Sequence, residues 1–161
     1  MLSAMAWLLA LVTMAQEIPA GVVITGDEHA ATLKQSVANN TVDAYMKGVD
    51  VLGGKAGVAM LYRVKPEASA LIHDQATEIY YILEGSGTIV TGGSLQNPTV
   101  TDLTRLGAGI SHSGARVGGE SRKVKPKDII IVPAGTPHGF SQLDGPISYL
   151  VYRFWTSAPA K

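Results

Sequence analysis

The sequence predicts an all-β fold, a jelly-roll barrel preceded by a short helical and extended amino-terminal arm. From residue 57 onward, short β-branched and apolar runs alternate with turn residues such as Gly, Pro, Asp and Asn. No long helical pattern separates these runs, which favours a closed antiparallel architecture over an α/β fold. Glycine is abundant, with 18 residues concentrated mainly between the runs, as frequent turns require.

Length and composition narrow the classes of function. The 161 residues suit one domain with a core of its own. The 13 Lys and Arg residues equal the 13 Asp and Glu residues, so no global field attracts nucleic acid, and we expect none as a partner. Cysteine is absent, which excludes disulfides, thiolate metal sites and cysteine nucleophiles.

The first fifteen residues are predicted to be a signal peptide. Residues 6–15 read AWLLALVTMA, an apolar run too short to cross a bilayer and typical of a signal-peptide core. Thr13 and Ala15 are small residues at the two positions that a signal peptidase reads, so cleavage before Gln16 is expected. The absence of Lys or Arg before the run is atypical and leaves two alternatives, a misassigned start or a hydrophobic helix packed on the barrel. We expect export to the periplasm or beyond, and no membrane association after cleavage.

Residues 16–56 are assigned to the amino-terminal arm. Residues 16–26 read as an extended lead-in, and residues 27–38 as a short helix with acidic residues first and a lysine later, in accord with the helix dipole. Residues 41–49 are interpreted as a second short helix or an irregular segment.

Residues 57–156 are assigned to the barrel. The stretch 92–119 has little continuous apolar patterning, and we interpret it as a long insertion with room for one added strand pair, of the kind that can act as a lid. Strands are predicted at residues 57–64, 69–75, 78–83, 87–91, 100–103, 121–124, 128–132, 139–142 and 147–154.

Three residues form the candidate site. His73 ends one predicted strand, a turn of four residues follows, and Glu78 opens the next strand, so that both side chains can share a face in a hairpin. Farther along, an aliphatic strand enters a Pro/Gly turn that presents His138 at the head of another strand. Two imidazoles and one carboxylate form a nitrogen and oxygen donor set with open coordination positions, which is typical of catalytic rather than structural metal sites.

These two segments resemble the paired motifs of the cupin superfamily. The resemblance covers roughly residues 57–155 and implies the cupin double-stranded β-helix, with a divalent ion (Fe, Mn, Zn, Ni or Co) held by His73, Glu78 and His138. The first motif falls on Leu71, His73, Glu78 and Gly85, and the second falls on Lys127, Pro133, Gly135, His138 and Gln142.

The chain departs from the cupin pattern in three places. Leu71 stands where many metal cupins have their first histidine, so one expected ligand is absent. Lys127 and Gln142 replace the glycine and asparagine of the second motif. An alternative register, which we rank lower because it shortens the turn, makes Gln75 the partner of His73. The cluster could also be a simple hydrogen-bonded group in a cupin that has lost its metal.

Other residues are candidates for the surroundings of the site. Tyr80 and Phe140 lie two residues beyond Glu78 and His138, so strand alternation points them into the barrel as core filling or as pocket walls. Arg63 is a candidate pocket residue that could anchor a carboxylate, as is Arg153, although an ion pair on the outer face is favoured for both. His112 is expected at the surface, with a fourth ligand or proton-transfer group as the alternative.

The resemblance implies a small metal-dependent enzyme, an oxygenase, isomerase, decarboxylase or lyase, that acts on a small organic molecule inside the barrel. The alternative is a non-catalytic cupin that binds a sugar or another small molecule. By analogy with the family, the partner of the chain would be a second copy in a homodimer.

Overall fold

The computed structural model describes residues 20–51 and 53–156. The predicted signal peptide, residues 1–15, lies outside the described residues. Within the described part, no helix is both long enough and apolar enough to cross a membrane.

The described residues form one α-helix, eleven strands and a short 3-10 turn. Helix α1 spans Gly26–Asn39, and the 3-10 turn η1 spans Thr104–Leu106. The strands are β1 (Asp43–Val51), β2 (Gly54–Arg63), β3 (Ala70–His73), β4 (Ala76–Glu84), β5 (Gly87–Thr91), β6 (Ser94–Leu103), β7 (Gly109–Val117), β8 (Glu120–Val124), β9 (Ile129–Val132), β10 (His138–Leu143) and β11 (Ile147–Thr156).

Helix α1 begins and ends where local chemistry dictates. The Thr25 hydroxyl accepts a hydrogen bond from the backbone N–H of Glu28, and the Glu28 carboxylate accepts one from the backbone N–H of Thr25, which completes a capping box. Asp27 and Glu28 place negative charge at the positive end of the helix dipole. Asn40 adopts a left-handed conformation at φ 50° and ends the helix, so the predicted helix is confirmed.

The strands form two antiparallel sheets. The five-stranded sheet has the order β1-β2-β11-β4-β9, and the six-stranded sheet has the order β6-β7-β3-β10-β5-β8. Strands that are adjacent in the chain repeatedly fall into opposite sheets, as β3 and β4 do, which is the pattern of a jelly roll. The predicted all-β jelly roll is therefore confirmed.

The barrel begins earlier than the sequence indicated. The segment 41–49 was interpreted as a second short helix or an irregular segment, but most of it belongs to β1, which pairs with β2 from Asp43 opposite Leu61 to Val51 opposite Gly54. A register shift between Tyr45 and Lys47 interrupts the two-residue alternation that marks a strand, so the sequence pattern is hard to recognise.

The insertion contains the added strand pair that the sequence left room for, in the form of a hairpin. Strands β6 and β7 pair from Ser94 opposite Val117 to Leu103 opposite Gly109, with η1 between them. Most of β6 is exposed, so few of its positions need apolar residues, and the hydrophobic pattern that predicts strands is weak there.

The core lies between the two sheets. The inward positions of β2, β4 and β11 alternate with outward ones, so each strand presents every second residue to the core. The buried cluster comprises Ala59, Leu61, Tyr80, Ile82, Ile89, Val124, Phe140, Ile147, Tyr149 and Val151.

Replacing Gly85 tests the turn that closes the first motif. Gly85 has φ +79°, and a Cβ there would overlap the carbonyl oxygen of Pro146 and lie 2.8 Å from the Cα of Ile147. We expect Gly85→Ala to lower the free energy of unfolding by roughly 3 kcal/mol, measured by urea denaturation, because strain and overlap add. Gly92 has φ +80° with open space around it, so Gly92→Ala should cost only about 1 kcal/mol. Equal losses in the two variants would contradict the overlap.

Candidate metal centre

The structure brings the three predicted ligand residues together inside the barrel. His73 ends β3, Glu78 lies on β4 and His138 begins β10. Their side chains are buried, with 3%, 1% and 3% of the residue exposed. The Oε2 atom of Glu78 lies 3.5 Å from Nε2 of His73 and 3.2 Å from Nε2 of His138.

The pairing of strands explains this convergence. His138 lies directly opposite Leu71 on β3, so its side chain shares a face with Leu71 and, two residues later, with His73. Both histidines therefore belong to the six-stranded sheet, whereas Glu78 belongs to the five-stranded sheet. The cluster spans the interior between the two sheets.

Both imidazole rings are oriented by hydrogen bonds at Nδ1. His138 Nδ1–H donates to the carbonyl oxygen of Thr136 at 2.9 Å. Ser111 donates its hydroxyl proton to the carbonyl of Gly109, so its oxygen is free to accept from Nδ1–H of His73 at 2.7 Å. With Nδ1 as the donor, neutral rings present the Nε2 lone pair towards Glu78, which is the tautomer that a metal-binding histidine needs.

The two oxygens of Glu78 have different partners. Oε1 accepts a hydrogen bond from Nε of Arg153 at 2.7 Å. Oε2 accepts one from the hydroxyl of Tyr80 at 2.8 Å and faces both imidazoles. The carboxylate is thus divided, with one oxygen held by a cation and the other directed into the cluster.

Arg153 is buried within this network, so the prediction that it forms an ion pair on the outer face of the barrel is wrong. Only 3% of Arg153 is exposed. Its guanidinium also donates to both carboxylate oxygens of Asp43, at 3.3 and 2.6 Å, and to the carbonyl of Leu106. Arg153 faces inward because it lies directly opposite Glu78, as a cross-strand partner of β4.

Burial and charge shift the pKa values in opposite directions. Burial raises the pKa of Glu78, but hydrogen bonds from His138 and His73 and the charge of Arg153 outweigh burial and hold that pKa well below its ordinary value of 4.5. Burial lowers the pKa of His138, but the Glu78 carboxylate opposes it more strongly, so the pKa lies above its ordinary value of 6.5. Burial and the Glu78 carboxylate raise the pKa of Tyr80 well above 10.0, so its hydroxyl stays protonated and donates.

The donor set fits a divalent transition metal ion. The three ligand atoms lie within 4.8 Å of one another. Metal–ligand bonds of about 2.0–2.2 Å place neighbouring ligand atoms roughly 3.0–3.5 Å apart, close to the spacings between Oε2 and the two Nε2 atoms. Two neutral imidazoles and one carboxylate suit Fe, Mn, Zn, Ni or Co. The cluster could therefore bind such an ion.

The predicted pocket residues lie in different surroundings. Tyr80 and Phe140 are packed in the core cluster, with Tyr80 also bonded to Glu78. Arg63 faces the interior rather than the expected outer face, where it donates to the hydroxyl of Tyr149 at 2.7 Å and pairs with Glu67 at 2.9 Å. Arg63 also lines a recess of about 260 Å³ that does not include the three ligand residues.

The structure excludes the two alternative ligands, His112 and Gln75, from the cluster. His112 lies opposite Ile72, one residue away from the inward His73 and Ser111 pair, so it faces outward and pairs with Asp74 at 3.1 Å. Gln75 is exposed in the turn between β3 and β4. Neither side chain belongs to the candidate metal cluster found among the described residues.

Sequence reasoning missed several residues that support the site. Ser111 lies in the stretch read as an insertion, and its role depends on the register of β7 against β3. Asp43 lies in the segment assigned to the arm. Thr136 contributes only its backbone carbonyl, which no residue pattern reveals. The one available signal was Arg153, a cation on a predicted strand, where burial requires an acidic partner.

We expect His138 in the metal-free protein to titrate above pH 6.5, measured by NMR of its imidazole, because the Glu78 carboxylate stabilises the charged ring. Glu78→Gln should lower this pKa, whereas Glu84→Gln, at the exposed end of the same strand, should leave it unchanged. Titration of His138 at or below 6.5 in the parent protein would contradict this electrostatic pairing.

The same shifts define the pH dependence of stability without metal. The raised pKa of His138 adds stability below pH 6.5 that is lost as pH rises through the folded-state value. The lowered pKa of Glu78 adds stability above pH 4.5 that is lost as pH falls through its folded-state value. The contribution of His138 and Glu78 to the free energy of unfolding is therefore greatest between pH 4.5 and pH 6.5.

Comparisons with known proteins support the fold. No protein-family model matches the chain, and no curated protein matches its sequence. The crystal structure of BH2720 from Bacillus halodurans is similar with a TM-score of 0.50 and 15% identity, over 88% of this chain and 86% of that one.

Two further solved structures are similar at lower scores. A cupin protein from Bacteroides fragilis has a TM-score of 0.40 and 19% identity, over 74% of this chain and 82% of that one. The DMSP lyase DddQ from Ruegeria pomeroyi has a TM-score of 0.40 and 19% identity, over 68% of this chain and 42% of that one. The two antiparallel sheets give the chain a jelly-roll fold, and residues of the two cupin-like motifs meet between the sheets.

Proposed function

We propose that this protein is a metal-dependent enzyme that binds a divalent ion through His73, Glu78 and His138 and acts on a small organic molecule. One observation carries the proposal: two imidazoles, each fixed through Nδ1, direct Nε2 at the same buried carboxylate oxygen. A simple hydrogen-bonded cluster does not require both rings to be held in the metal-binding tautomer. Three protein ligands leave positions open for substrate.

The residues of the chain position the ligands and shield the site from water. A divalent ion bound there would supply Lewis-acid chemistry, polarising an oxygen of the substrate. Ser111 and the carbonyl of Thr136 keep the two imidazoles oriented. The hydroxyl of Tyr80, 2.8 Å from Oε2 of Glu78, stays protonated and is a hydrogen-bond donor that orients this oxygen. The apolar walls of the barrel exclude bulk water and strengthen these electrostatic interactions.

The position of Leu71 indicates a route by which a substrate would reach the site. Its side chain shares a face with His73 and His138, and it also lines the recess of about 260 Å³ beside Arg63 and Glu67. Leu71 therefore separates the recess from the ligands, as an apolar wall at the position of a missing fourth ligand. We infer that a small substrate approaches from this recess, where Arg63 would lie in its path.

We propose a group of reaction types rather than a single reaction. The donor set is compatible with oxygenase, isomerase, decarboxylase and lyase reactions, because the same jelly roll supports all of them. In each case the ion and the substrate would share the interior between the two sheets.

Metal analysis is the direct test. We expect the purified protein to bind one equivalent of Fe²⁺, Mn²⁺, Zn²⁺, Ni²⁺ or Co²⁺, measured by calorimetry and elemental analysis. Glu78→Gln and His138→Ala should each weaken binding by at least about 100-fold, because each removes a ligand. His112→Ala is the matched control, since this histidine faces outward on β7, and it should bind the ion as the parent protein does.

Retention of tight binding in the Glu78 and His138 variants would contradict the assignment of the ligands. Turnover should disappear with the ion, on removal by chelation as well as in these variants. A small molecule that binds equally well to metal-stripped protein and is never converted would instead identify a binding protein without catalysis.

Leu71→His tests the missing fourth ligand. An imidazole at this position would share the face of His73 and His138, so we expect metal affinity to rise by about tenfold or more, measured by competition with a chromogenic chelator. Leu71→Ala changes the size of the side chain without adding a ligand and should leave the affinity near that of the parent. If the histidine variant gains no affinity, Leu71 does not border the ion.

A further inference from the structure

We propose that Arg153 is a positioning residue that reserves one oxygen of Glu78, so that the carboxylate binds the ion through its other oxygen alone. This inference rests on the proposed function, because it concerns how the ion would be held. It adds a residue outside both sequence motifs to the machinery of the site.

The contacts of Glu78 are the first support. Oε1 is engaged by Nε of Arg153 at 2.7 Å, in a charge-assisted hydrogen bond. Oε2 faces Nε2 of His73 and Nε2 of His138 at 3.5 and 3.2 Å. A carboxylate that ligated through both oxygens would have to give up the bond to Arg153.

Arg153 is itself fixed, which makes its bond to Glu78 costly to break. Its remaining nitrogens donate to Asp43 and to the carbonyl of Leu106. Asp43 comes from β1 and Leu106 from η1, so two separate elements hold the guanidinium in place. A buried guanidinium that loses one of these acceptors leaves an unsatisfied charged donor in the interior.

The register of the sheet places this arginine beside Glu78. Arg153 on β11 lies directly opposite Glu78 on β4, and neighbouring cross-strand side chains share a face. A second inward arginine, Arg63, has a similar pairing but bonds to Glu67 and Tyr149, neither of which is a candidate ligand. The two inward arginines thus differ, because Arg153 pairs with a candidate ligand and Arg63 does not.

The bond from Arg153 to Glu78 would determine how many coordination positions of the ion remain for substrate. With Glu78 ligating through Oε2 alone, the protein supplies three ligand atoms, and an octahedral ion keeps about three positions for water or substrate. Without Arg153, the freed Oε1 would take one more position, and about two would remain.

The experiment counts water ligands on Mn²⁺. The broadening of the Mn²⁺ electron paramagnetic resonance line in water enriched in oxygen-17 reports the number of bound waters. We expect about three waters in the parent protein and about two in the double variant Arg153→Met with Asp43→Asn. This pair of changes removes one cation and one anion together, so it leaves no newly unpaired charge at Asp43.

The matched control is the double variant Arg63→Met with Glu67→Gln. It makes the same charge-balanced change at the other inward pair, whose side chains are 15% and 11% exposed against 3% and 17% for Arg153 and Asp43. This control should keep about three waters, because its residues do not contact Glu78. A purely structural role of Arg153 would lower stability without changing the water count.

The possible results separate this inference from the proposed function. A parent protein that binds Mn²⁺ with about two waters overturns the inference without any variant, because Glu78 then uses both oxygens. An unchanged count in the folded Arg153 double variant overturns it as well, while leaving the proposed function intact. A parent protein that binds none of the candidate ions overturns the proposed function and this inference together.

Discussion

The buried carboxylate of Glu78 is the interaction on which the rest of the site depends. A charge with 1% exposure is costly to keep in the interior unless hydrogen bonds and opposite charge replace the lost water. Glu78 has such replacements on both oxygens, from Arg153 on one and from Tyr80 and the imidazoles on the other. Each partner is in turn held by a further group, so the position of this one carboxylate organises a network that reaches from β1 to β11.

The network also joins the two sheets. Glu78 and Arg153 belong to the five-stranded sheet, whereas His73 and His138 belong to the six-stranded sheet. Forming the cluster therefore requires the same packing of sheet on sheet that buries the apolar core around Tyr149 and Phe140. Fold and site are specified together, because a slip of one residue in any of these strands would turn its site residue to the outer face.

The sequence predicted the parts of this arrangement that depend on local pattern. The spacing of His73 and Glu78 around a short turn, and of His138 after a Pro/Gly turn, was enough to predict the cluster. The predicted hairpin is wrong, because β3 pairs with β7 and β10 while β4 lies in the opposite sheet, so the side chains meet across the interior instead. The supporting residues depend on long-range pairing instead. Ser111 reaches His73 only through the register of β7 on β3, and Arg153 reaches Asp43 across β2.

The same distinction explains why β1 was misassigned and why only residues 100–103 of β6 were predicted as a strand. The bulge in β1 and the exposure of β6 remove the alternation that marks a strand, while pairing with β2 and β7 still satisfies their backbone groups. Tertiary pairing therefore decided these elements against weak local signals. For that reason the residues that sequence reasoning placed outside the site, Asp43 above all, are those that the completed sheets bring into it.

The charges of the network indicate what kind of ligand the completed site would favour. In the metal-free protein, the carboxylates of Asp43 and Glu78 face the guanidinium of Arg153, and Glu78 also raises the pKa of the neighbouring His138. A divalent ion bound beside neutral imidazoles would add two positive charges to Arg153 against these two carboxylates, and would leave one positive charge in a buried, weakly screened environment. An anionic group of the substrate would neutralise that charge. In the recess lined by Leu71, the carboxylate of Glu67 already pairs with the guanidinium of Arg63. In the proposed metal-bound form, the ion rather than Arg63 would therefore attract a negatively charged group most strongly.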